Sequence, residues 1–138
     1  MTKIPKYWNK AKNYLSKKDK TISKLIRRYK SPSETILTSR KDIFYSLCKS
    51  IIGQQISVAA ANSVFSKFEK SCKGRINAKN VNKLSFSTLK RCGLSRQKVK
   101  GIKDLAKKII DREFEPHLIK KMNDEEAILY LSKLRQIG

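Results

Sequence analysis

The chain has almost none of the residues that build metal or redox centres. It holds one histidine and three cysteines in 138 residues, and Cys48, Cys72 and Cys92 stand apart with no CxxC or CxxxC pair among them. Zinc and iron–sulfur sites need several ligands brought close together, so neither a metal nor a metal-borne cofactor is expected. An odd number of unpaired thiols fits a reducing cytoplasm. No apolar run approaches the roughly 18 residues of a membrane span. After Met1 come Lys3, Pro5 and Lys6 rather than the apolar stretch of a secretory leader. Period-two alternation is missing over any useful length, and so are the phosphate-binding loop, the HExxH helix and the dinucleotide fingerprint. Acidic residues are scarce as well. Against 33 lysines and arginines stand 11 aspartates and glutamates, a formal net charge of +22.

That surplus runs from Lys3 to Arg135. Part of the lysine excess accords with A/T-rich codon usage, yet some face must still be strongly positive. Such a field draws polyanions and favours fast, salt-sensitive association with a phosphate backbone. A membrane surface is the electrostatic competitor, but no basic helix carries a broad Trp/Phe/Leu insertion face.

Apolar residues recur at helical spacing along the chain, which predicts an all-α fold with one core. Helices are expected over about 7–15, through Trp8, Ala11 and Leu15, and over 21–29, through Ile22, Leu25, Ile26 and Tyr29. Ser31-Pro32-Ser33 opens a loop reaching to about Arg40. From Asp42 a third helix buries Ile43, Phe44, Leu47, Cys48, Ile51 and Ile52, and a fourth packs through Val58, Ala61, Phe65 and Phe68. Short capped helices are expected over 77–84 and 85–92, with Gly93 as a C-cap, and a long one from Ser95 through Ile110. Pro116 punctuates a linker carrying His117, which reads as a surface residue. Asn123 and Glu126 form a capping box for a last helix burying Ile128, Leu131 and Leu134. Tyr7, Trp8, Tyr14 and Tyr29 fall on apolar stripes and read as packing residues rather than base-stacking platforms.

The most informative stretch is Ile51-Ile52-Gly53-Gln54-Gln55-Ile56-Ser57. Gly53 ends the third helix, Ser57 caps the fourth, and Gln54 and Gln55 are left at the corner between them. An amide side chain on a rigid corner of so basic a protein is a probe for nucleic acid; the alternative is that both glutamines cap their own helix.

The run Leu47–Ala61 resembles the helix-corner-helix of the DNA-3-methyladenine glycosylase II branch of the helix-hairpin-helix glycosylases. Gly93-Leu94-Ser95-Arg96-Gln97-Lys98, with Ile102 and Leu105-Ala106, is similar to that family's "GLS..K...I..LA" segment. Asn123-Asp124-Glu125-Glu126-Ala127 with Leu131 and Leu134 is similar to the helix that leads into its hairpin. The ordered set covers nearly the whole chain, and residues 1–138 are read as a partial glycosylase domain whose hairpin begins near 134 and is expected to be cut off at 138. In the family that hairpin reads Leu-x-Gly-Ile-Gly; here Leu134-Arg135-Gln136-Ile137-Gly138 puts glutamine at the first glycine.

The resemblance implies base-excision repair: hydrolysis of the N-glycosidic bond of alkylated purines such as 3-methyladenine, by a monomer on double-stranded DNA, without cofactor, in a bacterial cytoplasm at the nucleoid. It implies DNA contacts from Gln54, Gln55, Ser57, Arg96, Lys98, Ile137 and Gly138, with Gln55 as the wedge that fills the gap left by an extruded nucleotide. The family's catalytic aspartate matches no position here and is expected beyond Gly138, so residues 1–138 are expected to be an inactive fragment. The competing readings are a non-enzymatic basic helical DNA-binding module and, behind it, a helical scaffold for acidic proteins.

Overall fold

The computed structural model describes residues 5–29 and 42–138, and every regular element among them is helical. The chain divides into two compact units, Met1–Arg40 and Lys41–Gly138. In the first, α1 (Trp8–Lys18) and α2 (Lys20–Arg28) meet at Asp19, whose carboxylate accepts the Ile22 N–H at 2.9 Å and so caps α2. The expected loop from Ser31 to Arg40 lies outside the described residues. In this unit the aromatic stripes are not a core: Tyr7, Tyr14 and Tyr29 are all more than half exposed. Cations lie over two of these rings, Lys18 on Tyr14 and Arg28 on Tyr29, each just under 6 Å from the centroid.

The second unit holds the core. It runs α3 (Ile43–Gly53), α4 (Val58–Ser71), α5 (Ala78–Lys83), α6 (Phe86–Arg91), α7 (Arg96–Ile110), a 3-10 helix (Pro116–Lys121) and α8 (Asp124–Ser132). Each α-helix opens on a side-chain cap read from its residue type: Asp42, Ser57, Asn77, Ser85, Ser95 and Asn123 each accept a backbone N–H three residues on. The Asn123–Glu126 box closes in both directions, at 3.0 and 2.9 Å. Helix α7 is the axis of the unit and packs against α3, α5 and α6. Its Val99, Ile102, Leu105 and Ala106 are buried with Cys48, Ile51 and Ile52 of α3 and Phe65 and Phe68 of α4.

The structure departs from the sequence reading at further places in this unit. Val58 is 78% exposed, because packing of α4 against the core begins only with Val64. Ile128 and Leu129 are each 66% exposed; α8 turns toward the core through Leu131, and through Leu134 beyond its end. Pro116 begins a 3-10 helix rather than a linker, at the first-turn position where proline costs no hydrogen bond.

Candidate DNA-binding corner

The end of α3 is closed from another helix. Ile52 O and Gln54 O both accept from Lys98 Nζ, at 2.9 and 2.8 Å. A cation at a helix C-terminus complements the negative end of the macrodipole and satisfies carbonyls that the helix leaves free. Gly53 is still helical and a Cβ on it would meet nothing. The reversal falls two residues later, at Gln55, whose φ of 57° is left-handed. That region costs an L-residue roughly 1–2 kcal/mol, so the conformation is held by its surroundings. Ser57 then restarts the chain, its hydroxyl accepting the Ala60 N–H at 3.2 Å.

Gln54 and Gln55, adjacent in sequence, have separate fates. Gln54 is partly buried and its Nε2 donates to the backbone O of Gln136 at 2.6 Å, spanning 82 residues. Gln55 stands exposed. The hairpin segment meets the corner at this bond: Ile137 N–H donates to Leu134 O at 3.2 Å, closing a turn whose third residue, Gln136, has φ 68°. The first hairpin position therefore takes a left-handed backbone even with glutamine there, and Gly138 at φ 138° also takes a conformation that L side chains rarely adopt. Gln136 in turn lies on α7. A Cβ added to buried Gly101 would come within 2.7 Å of Gln136 Cγ.

The result is an open cleft of about 470 Å³ lined by Gln54, Gln55, Gln136, Ile137 and Gly138. Four of the seven residues expected to touch DNA line it, and Ser57 caps the helix beside it. Arg96 is exposed in the first turn of α7, whereas Lys98 is engaged inside the protein. The contributions of Gln136 and Gly101 were hidden from the sequence reading; positive φ at the first hairpin position was the one available signal.

No carboxylate lines the cleft. A larger groove of about 830 Å³ opens at the other end of α3, among Ile43, Phe44, Arg75, Lys79, His117 and Lys120. Its single carboxylate, Asp42, already accepts the Tyr45 N–H at 3.0 Å as the α3 cap, so it offers no acid pair for hydrolysis. All three cysteines are free and buried. Burial pushes the Cys72 thiol up to about 11 and raises Cys48 further, which removes the thiolate that nucleophilic or metal chemistry requires. Among the described residues no cluster of His, Cys, Asp and Glu is arranged to hold a metal ion, and no helix is long and apolar enough to cross a membrane.

Comparison with known proteins gives the family. The chain is 26% identical over 135 residues to DNA-3-methyladenine glycosylase 1 of Schizosaccharomyces pombe, covering 94% of this chain and 58% of that protein. It is 25% identical to the alkylbase DNA glycosidase-like protein mag2 of the same yeast, covering 94% and 62%. The chain thus spans about three fifths of the length of these relatives. Among solved structures, S. pombe 3-methyladenine DNA glycosylase in complex with abasic DNA superposes with a TM-score of 0.83 at 23% identity, over 94% of this chain and 64% of that one. The Archaeoglobus fulgidus 3-methyladenine DNA glycosylase gives 0.70 at 23% identity, over 99% and 54%. The family model for HhH-GPD superfamily base-excision DNA repair proteins matches residues 48–136, from the buried cysteine of α3 to the hairpin glutamine. The chain belongs to the HhH-GPD superfamily of base-excision DNA repair proteins.

Proposed function

We propose that residues 1–138 form the DNA-engaging part of a glycosylase that removes alkylated purines such as 3-methyladenine from double-stranded DNA. The observation that supports it is the meeting of Gln55 and the hairpin at one cleft. An exposed amide in a strained backbone stands beside a turn that takes glycine-type conformations at Gln136 and Gly138. The first can fill the gap of an extruded nucleotide, and the second can hold a phosphate next to it. Alkylated purines carry positive charge and leave readily, so the remaining demand is a carboxylate to stabilise the developing oxocarbenium ion. No carboxylate lines the corner cleft; in this reading that group comes from outside residues 1–138. The protein acts as a monomer on chromosomal DNA.

The test pairs binding with release. Affinity for duplex DNA should fall steeply from low to moderate salt, and a duplex carrying an abasic-site analogue should bind more tightly than the intact one. The 138-residue chain should release no 3-methyladenine from alkylated DNA. Salt-independent binding would remove the electrostatic basis of the reading, and base release would place the catalytic carboxylate within these residues. The missing carboxylate also supports a second reading, a non-enzymatic DNA-binding module. Joining a relative's C-terminal half distinguishes the two, because only the glycosylase reading expects excision to appear.

A further inference from the structure

We propose that Lys98 is a positioning residue for the wedge corner and not a phosphate ligand. The inference rests on the reading of Gln55 as the wedge. Lys98 is half-buried and commits its ammonium to Ile52 O and Gln54 O at 2.9 and 2.8 Å. The Gln54 carbonyl belongs to the peptide plane entering Gln55, and rotation of that plane about the N–Cα bond of Gln55 is its φ. Holding the carbonyl therefore holds Gln55 at 57°.

Gln54 is fixed at both ends, its carbonyl by Lys98 and its side-chain amide by Gln136 O at 2.6 Å. One turn along α7 from Lys98, Gly101 receives the Gln136 side chain. A single face of α7 thus sets the distance between the wedge and the hairpin. Surface lysines of so basic a chain add phosphate affinity interchangeably, but this one adds geometry.

Two measurements test it, both on the 138-residue chain. In the first, wild-type protein is lightly acetylated with and without duplex DNA, and modification at each lysine is read by mass spectrometry. Lys98 should be protected in both states, while surface lysines become protected only on DNA. A Lys98 that reacts in the free protein and is shielded on DNA would overturn the proposal.

In the second, 2-aminopurine is placed opposite an abasic-site analogue, so that an inserted side chain unstacks it and raises its fluorescence. At saturating protein, Lys98→Met and Gln55→Ala should each lower the wild-type signal at least threefold, and Lys98→Arg should recover half of it or more. The slope of log affinity against log salt should be the same for Lys98→Met and wild type, whereas loss of a phosphate contact reduces it by about 0.9. Full signal with a reduced slope for Lys98→Met sinks the idea. If wild type and Gln55→Ala give equal signals, the wedge reading fails on its own, and the acetylation pattern still decides whether Lys98 meets phosphate.

Discussion

Two helix ends in this protein are closed by the same device and put to different use. Lys98 and Lys103, both on α7, reach across to the C-termini of α3 and α5. Lys103 Nζ donates to Asn82 O at 2.6 Å and Leu84 O at 2.8 Å, as Lys98 does to Ile52 and Gln54. After Lys103's helix end the chain runs through Leu84 in extended backbone and straight into the Ser85 cap of α6. After Lys98's it passes through left-handed Gln55 and binds a segment 82 residues away. The lysine supplies a closed helix end in both places; only at the α3 end is the backbone beyond it left-handed and tied to the 134–138 turn.

The sharpest way to break this contrast is Gln55→Ala in a chain completed with a relative's C-terminal half. Single-turnover excision should slow tenfold or more, about 1.4 kcal/mol or above in transition-state terms, with the melting temperature unchanged. Equal activity at equal stability would make both corners structural. Next comes Lys103→Met. It removes a charge-assisted donor from two carbonyls of a partly exposed helix end, and about 1–2 kcal/mol of stability should go with it. The 2-aminopurine signal at saturating protein should stay at the wild-type level; a fall there would mean that the α5 end also shapes the DNA site. The smallest effect belongs to Gly53→Ala. The residue is helical and its Cβ would meet nothing, so denaturant unfolding should show a gain of about 0.5–1 kcal/mol. A loss would show that Gly53, rather than Gln55, accommodates the corner.

The comparison also shows which features a sequence displays. The helix caps are legible because a cap is a local bargain between one side chain and an amide three residues on, and Ser57, Asn77, Ser85, Ser95 and Asn123 all sit where their residue type demands. The Gln pair is legible as a break between two periodic segments. What joins it to the rest is not: Gln54 to Gln136 and Lys98 to the α3 carbonyls bridge 82, 46 and 44 residues, and no periodicity encodes such a partner. The resemblance counts Lys98 among the DNA contacts, and the partners its ammonium has within the protein, Ile52 O and Gln54 O, leave no mark on its own stretch of sequence. Val58 and Ile128 mislead for a related reason. Helical spacing identifies an apolar face but not whether a neighbour reaches it, and both lie exposed.

The contact between Gly101 and Gln136 places a constraint on the order in which this protein can change. A buried glycine inside α7 costs about 1 kcal/mol relative to alanine, yet alanine there would drive its Cβ to 2.7 Å from the Gln136 side chain. Remove that side chain first, by Gln136→Gly, and the left-handed turn is relieved. The next neighbour of the new Cβ is then the Arg135 carbonyl at 3.5 Å, an ordinary contact. Gly101→Ala should be harmful in the present background and beneficial after Gln136→Gly. Descendants of this chain could therefore reach the pair by one road and not the other, and the glutamine in its hairpin keeps a glycine in its longest helix.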